Sequence, residues 1–183
     1  PGDTNEAMDV YVWDRTSDTY ERQPPGIDGL QLNRESGAGG MSADGRLVGI
    51  ATPADNFLAD DVDPPDEEEV GDHTDAAVWN RDTGAYEHLP TAVGGARPNL
   101  ATGPPLLSDD GTTAIVESAA TNLMSGNRNP GFELAVWDRV TDTLSAQPLG
   151  NTGQAPSWPS DLTGMSGDGR FVSLLSSSSE LVE

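Results

Sequence analysis

At 183 residues the chain is long enough for one well-packed core, and its 31 acidic against 9 basic residues give a formal net charge of −22. So acidic a surface repels nucleic acid and anionic membrane, because binding either needs clustered cations, so neither nucleic acid nor membrane insertion is expected. There is no cysteine for a disulfide or thiolate metal site, and no run approaches the ~20 apolar residues of a membrane-spanning helix.

Proline and glycine total 14 + 21 = 35, which leaves few windows long enough for a helix. Strand signals dominate instead. The first run is residues 10–13, Val-Tyr-Val-Trp, followed by a polar turn at 16–19 and a short strand at 20–22. Next comes Met41-Ser-Ala-Asp-Gly-Arg46, in which Asp44-Gly45 suits a two-residue hairpin turn, leading into a strand over 46–51. An acidic insertion follows at 60–75. The same order then repeats: strand 76–79, turn 82–84, strand 85–88, Asp110-Gly111 and strand 112–117. It repeats once more as strand 134–137, turn 140–143, strand 144–147, Asp168-Gly169 and strand 170–175.

Trp13, Trp79 and Trp137 each sit in a Val-Trp-[Asp/Asn]-Arg tetrapeptide, and each precedes its Asp-Gly hexapeptide by 28 residues (41 − 13, 107 − 79, 165 − 137). The tryptophan intervals are 66 and 58, and joining the chain ends gives a third, (183 − 137) + 13 = 59. Internal repetition on this scale marks a repeat architecture. Each unit holds about four short strands, as a four-stranded antiparallel blade would. The expected fold is therefore an all-β propeller with three blades per chain. One blade covers about 27–90 and includes the insertion. A second covers about 93–148. The third is split between 151–183 and 1–23. Three blades are too few for a closed ring, since propellers typically have about four to eight. Two readings fit: a homodimer that completes a six-bladed ring, or a piece of a longer propeller.

Read across the joined ends, Ser-x-x-x-x-Leu-Val-x-Pro-Gly-Asp-Thr-Asn-x-x-x-Asp-Val-Tyr-Val-Trp-Asp-Arg resembles the repeats of TolB-like β-propellers from bacteria and archaea. So does Ser-x-Asp-Gly-Arg-x-Val, present at 42–48 and 166–172. The resemblance spans essentially the whole chain. It implies an interaction scaffold that is secreted, periplasmic or at the cell surface, and it says little about the ligand. Asn80 in place of Asp and Thr112 in place of Arg depart from the pattern.

Trp13, Trp79 and Trp137, with Asp44, Asp110 and Asp168, read as structural: packed indoles and turn-forming carboxylates. Asn33, Asn99 and Ser157 fall at one repeat position, 20 residues after each tryptophan. They suit channel-facing loops that bind a ligand, or hydrogen bonds that tie one blade to the next. Arg34 and the non-repeat Trp158 also share a position, and an aromatic there suits a sugar or peptide. In the recurring [Asp/Asn]-x-[Asp/Asn] step, Asp3, Asn5, Asp61 and Asp63 offer oxygens for Ca²⁺. Asx turns explain the same step. No other cofactor is expected. The two histidines, His73 and His88, lie in no nucleophile motif such as Gly-x-Ser-x-Gly. The leading expectation is a non-enzymatic scaffold for a protein, peptide or glycan, with a cationic partner favoured by charge. A polysaccharide hydrolase or lyase and a Ca²⁺-stabilised structural module are the alternatives.

Overall fold

The computed structural model describes residues 3–58, 73–90, 97–124, 132–147 and 160–181. It is all-β, with twelve strands among the described residues. In chain order these are β1 (Tyr11–Asp14), β2 (Thr19–Arg22), β3 (Gly37–Met41), β4 (Leu47–Thr52), β5 (Asp75–Asn80), β6 (Ala85–His88), β7 (Leu106–Leu107), β8 (Thr113–Ser118), β9 (Glu133–Asp138), β10 (Thr143–Gln147), β11 (Ser160–Met165) and β12 (Val172–Ser176). They form two four-stranded antiparallel meanders, β3-β4-β5-β6 and β7-β8-β9-β10, flanked by two hairpins, β1-β2 and β11-β12.

Pleat alternation sorts the side chains between neighbouring layers. In the first meander Ala51, Ala76 and Val78 face the second meander, where they pack with Ala114, Val116, Ala135 and Trp137. Val48, Ile50 and Trp79 point the other way and pack on Val10 and Val12 of the first hairpin. The layers therefore stack as hairpin, sheet, sheet, hairpin. A satellite cluster of Leu32, Ala54, Phe57 and Leu58 closes one end around Ala77. There Phe57 meets Tyr86 edge-on at 4.8 Å.

Strand β3 reads Gly-Ala-Gly-Gly-Met, a sequence with poor strand propensity. Its conformation depends on a close approach between sheets. A Cβ on Gly39 would lie 2.3 Å from the Pro105 carbonyl oxygen, and one on Gly49 of β4 only 2.0 Å away. The same approach lets Gly40 N–H donate to Pro105 O at 2.8 Å. Pro104 and Pro105 in turn confine β7 to two residues, since proline cannot donate to a ladder.

The Asp-Gly turns differ from the two-residue form expected of them. Four residues separate the closing pair, in which Ser42 N–H donates to Leu47 O at 3.0 Å, and only the glycines have positive φ (71° at Gly45, 69° at Gly111, 70° at Gly169). The serine makes the longer turn favourable. Ser42 Oγ donates to Asp44 Oδ1 at 2.7 Å, Asp44 Oδ1 accepts Arg46 N–H at 3.0 Å, and Ser42 Oγ accepts Leu47 N–H at 3.0 Å. Ser108 with Asp110 and Ser166 with Asp168 repeat the arrangement.

Candidate functional site

The repeated tetrapeptide builds a bracket between layers. Trp79 and Trp137 are buried, at 1% and 0% exposure. Arg81, two residues after Trp79, donates through Nη1 to Gly45 O within its own sheet and through Nε to Glu21 of the first hairpin at 2.8 Å. Arg139 likewise donates through Nη1 to Gly111 O, and through Nη2 to Glu87 of the first meander. The residue between Trp and Arg caps its turn. Asp14, Asn80 and Asp138 each accept backbone N–H groups two and three positions on. Asparagine supplies the same oxygen as aspartate, so Asn80 preserves the turn.

Trp13 differs from its two counterparts in being 54% exposed. It stacks on Tyr20 at 6.2 Å, and its indole N–H donates to Asp18 Oδ1 at 3.1 Å. Tyr11 and Tyr20 are exposed beside it. Alternation makes this the face of β1-β2 turned away from the rest of the chain. The corresponding faces of the two meanders are covered by the layer before them.

At the opposite end, a cavity of about 310 Å³ lies between the second meander and hairpin β11-β12. Ile115, Leu134, Val136 and Ser145 of the second meander line one wall, and Val172 and Leu174 of the hairpin the other. The hairpin is held at its inner edge. Asp109 N–H donates to Gly167 O at 2.6 Å, and Leu162 N–H donates to the Glu117 carboxylate. Its far side leaves Phe171 and Leu175 exposed, with Arg170 over the Phe171 ring at 4.7 Å.

The other expected site residues are scattered around this frame. Asn33 and Asn99 each tie two loops of one sheet rather than successive sheets. Asn33 Oδ1 accepts Asp55 N–H at 3.1 Å, and Asn33 N–H donates to Asn56 Oδ1 at 3.0 Å. Asn99 repeats this with Thr121 and Asn122, both at 2.9 Å. Arg34 pairs with Asp55 at 3.3 Å. Asp3 and Asn5 converge with Asp9 on the Gln31 amide nitrogen, at 3.1, 2.8 and 2.9 Å. In this structure that oxygen cluster surrounds an amide. Among the described residues no group of three or more His, Cys, Asp or Glu side chains could hold a metal ion. Ser157, Trp158, Asp61 and Asp63 lie outside the described residues. The apolar walls at the two ends were not singled out from sequence. Their signal was available, because Tyr20, Tyr86 and Leu144 share one repeat position, as do Val12, Val78 and Val136.

Several carboxylates are held below their usual range by the turns they close. The Ser42 hydroxyl does this first for Asp44, Thr112 N–H for Asp110, and the Ser166 hydroxyl for Asp168. His88 is lowered to about 4, chiefly by burial and then by the Arg97 charge. Tyr86 is raised by burial and by the charge of Asp9, and its hydroxyl donates to Pro24 O at 2.7 Å.

No family model and no curated protein matches the sequence. Among solved structures, the crystal structure of TolB from Acinetobacter baumannii is similar with a TM-score of 0.45 and 18% identity, over 92% of this chain and 37% of that one. The chain therefore spans little more than a third of the length of that protein.

Proposed function

We propose that the chain is a segment of β-propeller that serves as a binding scaffold for a basic protein or peptide. The observation that supports it is the wedge shape of the stack. Strands β3 and β7 of the two meanders approach at the inner edge, whereas β6 and β10 at the outer edge share no close backbone approach; β11 lies against β7, β8 and β9 alike. Sheets that meet at one edge and splay at the other fan around an axis, and propellers have this geometry. The side chains that recur in each unit are used in turns and brackets, which leaves specificity to the loops. A net charge of −22 attracts cationic ligands and raises their on-rates. The resemblance of the repeats extends the reading to an exported location.

The test is calorimetric titration with arginine-rich peptides and, in parallel, with neutral oligosaccharides, at 20 and 300 mM salt. The proposal expects peptide binding that weakens with salt. Binding or cleavage of neutral glycans, with no response to basic peptides, would overturn it in favour of a glycan-directed protein.

A further inference from the structure

The two hairpins are complementary halves of one sheet. Strands β1-β2 correspond in the repeat to β5-β6 and β9-β10, the outer pair of each meander. Strands β11-β12 correspond to β3-β4 and β7-β8, the inner pair. In both meanders the halves join in one register. Val48 faces Trp79 and Ile50 faces Ala77, while Ala114 faces Trp137 and Val116 faces Ala135. Among the described residues β12 pairs with β11 and β1 with β2, in separate two-stranded sheets. Two complete sheets stand between them, so within one chain the halves face away from each other.

We infer that β12 of one chain pairs with β1 of a second copy, with Val172 opposite Trp13 and Leu174 opposite Tyr11. Two such contacts, related by a two-fold axis, close a ring of six sheets. This rests on the radial fold proposed above and adds its occupant. The exposed side chains of both hairpins point to the same occupant. In this register Trp13 and Tyr11 turn into the 310 Å³ cavity, onto Leu134, Val136 and Ser145. Those residues are the repeat counterparts of Ala76, Val78 and Glu87. Trp137 packs on Ala76 and Val78 within the single chain. Phe171 and Leu175, both exposed, turn onto the Val48 and Ile50 face of the second copy. Arg15, the counterpart of Arg81 and Arg139, is brought to Gly169 O of the neighbour. Bare strand edges recruit strands of matching pattern, and here the chain itself carries the matching strand.

The test combines mass with a register-specific cross-link. Light scattering of the full chain is expected to give twice 19.2 kDa, and Trp13→Ala is expected to weaken the dimer at least tenfold. Trp13 is exposed in the single chain, so this variant should keep its β circular dichroism. The chain lacks cysteine, so Phe171→Cys with Asp14→Cys, directly opposed in the inferred register, should form an intermolecular disulfide. Leu175→Cys with Asp14→Cys should not. A folded monomer, an open polymer, or a dimer that links only in the second pair would overturn the inference. A folded monomer that still binds basic peptide would leave the scaffold reading standing.

Discussion

Gly84→Asp should stabilise the protein, and the reason lies in one unpaired atom. The buried indole N–H of Trp79 has no hydrogen-bond partner. Its counterpart in Trp137 donates to Asp142 Oδ1 at 3.2 Å, and that in Trp13 to Asp18 Oδ1 at 3.1 Å. The residue five positions after Trp79 is Gly84, which has no side chain to accept. Asp18 and Asp142 tolerate positive φ at 55° and 54°, close to the 68° of Gly84, and a Cβ at Gly84 meets nothing within 4 Å. An unsatisfied buried donor costs about 1–3 kcal/mol. Against this stands the cost of a non-glycine residue at positive φ, about 1–2 kcal/mol and smallest for Asn and Asp. Lost freedom of the unfolded chain returns about 0.4–1 kcal/mol. The net is a gain of about 1 kcal/mol, or roughly 2–4 °C in melting temperature at this chain length. Urea or thermal unfolding of Gly84→Asp would measure it, alone and combined with Trp79→Phe, which removes the donor. The gain should disappear in the Phe background. An equal gain in both backgrounds, or none in either, would refute the role of the unpaired indole.

The remaining predictions concern packing and pH. Trp137→Ala should cost about 3–5 kcal/mol in the unfolding of the single chain. Trp13→Ala should change that quantity little, as denaturation below the association range would show. Gly49→Ala should destabilise by about 1–3 kcal/mol through the clash with Pro105, whereas Gly37→Ala, whose nearest neighbour is Ala51 O at 3.9 Å, should be tolerated. His88 binds its proton less readily when folded (about 4) than when unfolded (6.5). Its contribution is therefore complete above pH 6.5 and is lost as pH falls toward 4. Melting scans of His88→Phe should lack that part of the pH slope. The turn carboxylates add a second acid-side loss below their ordinary value of 3.8, because their folded affinities for protons are also depressed.

Much of this frame was legible in the residues. The Val-Trp-x-Arg strands, their 28-residue offset from the Asp-Gly turns and the pairing of short polar hairpins follow from β-branched and aromatic runs between turn formers. They give β1, β2, β4, β5, β6, β8, β9, β10 and β12 to within two residues at every end. Strand β3 was expected only by count, as the fourth strand of its unit and without bounds, because Gly-Ala-Gly-Gly carries no strand propensity of its own. Its conformation depends on the adjacent Pro104 and Pro105 backbone, which no local pattern reveals. The turn type was misjudged because Asp-Gly alone suggests two residues, and the Ser42 hydroxyl that closes a four-residue turn acts across five positions. The candidate site was less legible. Asn33 and Asn99 recur for the same reason the tryptophans do, since each locks a loop by accepting a backbone N–H. Recurrence therefore identified the repeating frame, and the departures from equivalence, an exposed Trp13 and a cavity without an indole, are the features on which the inferred pairing of two copies rests.

The decisive measurement is a crystal structure of the assembled protein. It should show six sheets around one axis, with the Trp13 indole against Leu134 and Val136 of the neighbouring chain and Val172 paired opposite it. An assembly in which Trp13 remains in solvent, or in which β12 keeps β11 as its sole neighbour, would contradict the inferred pairing.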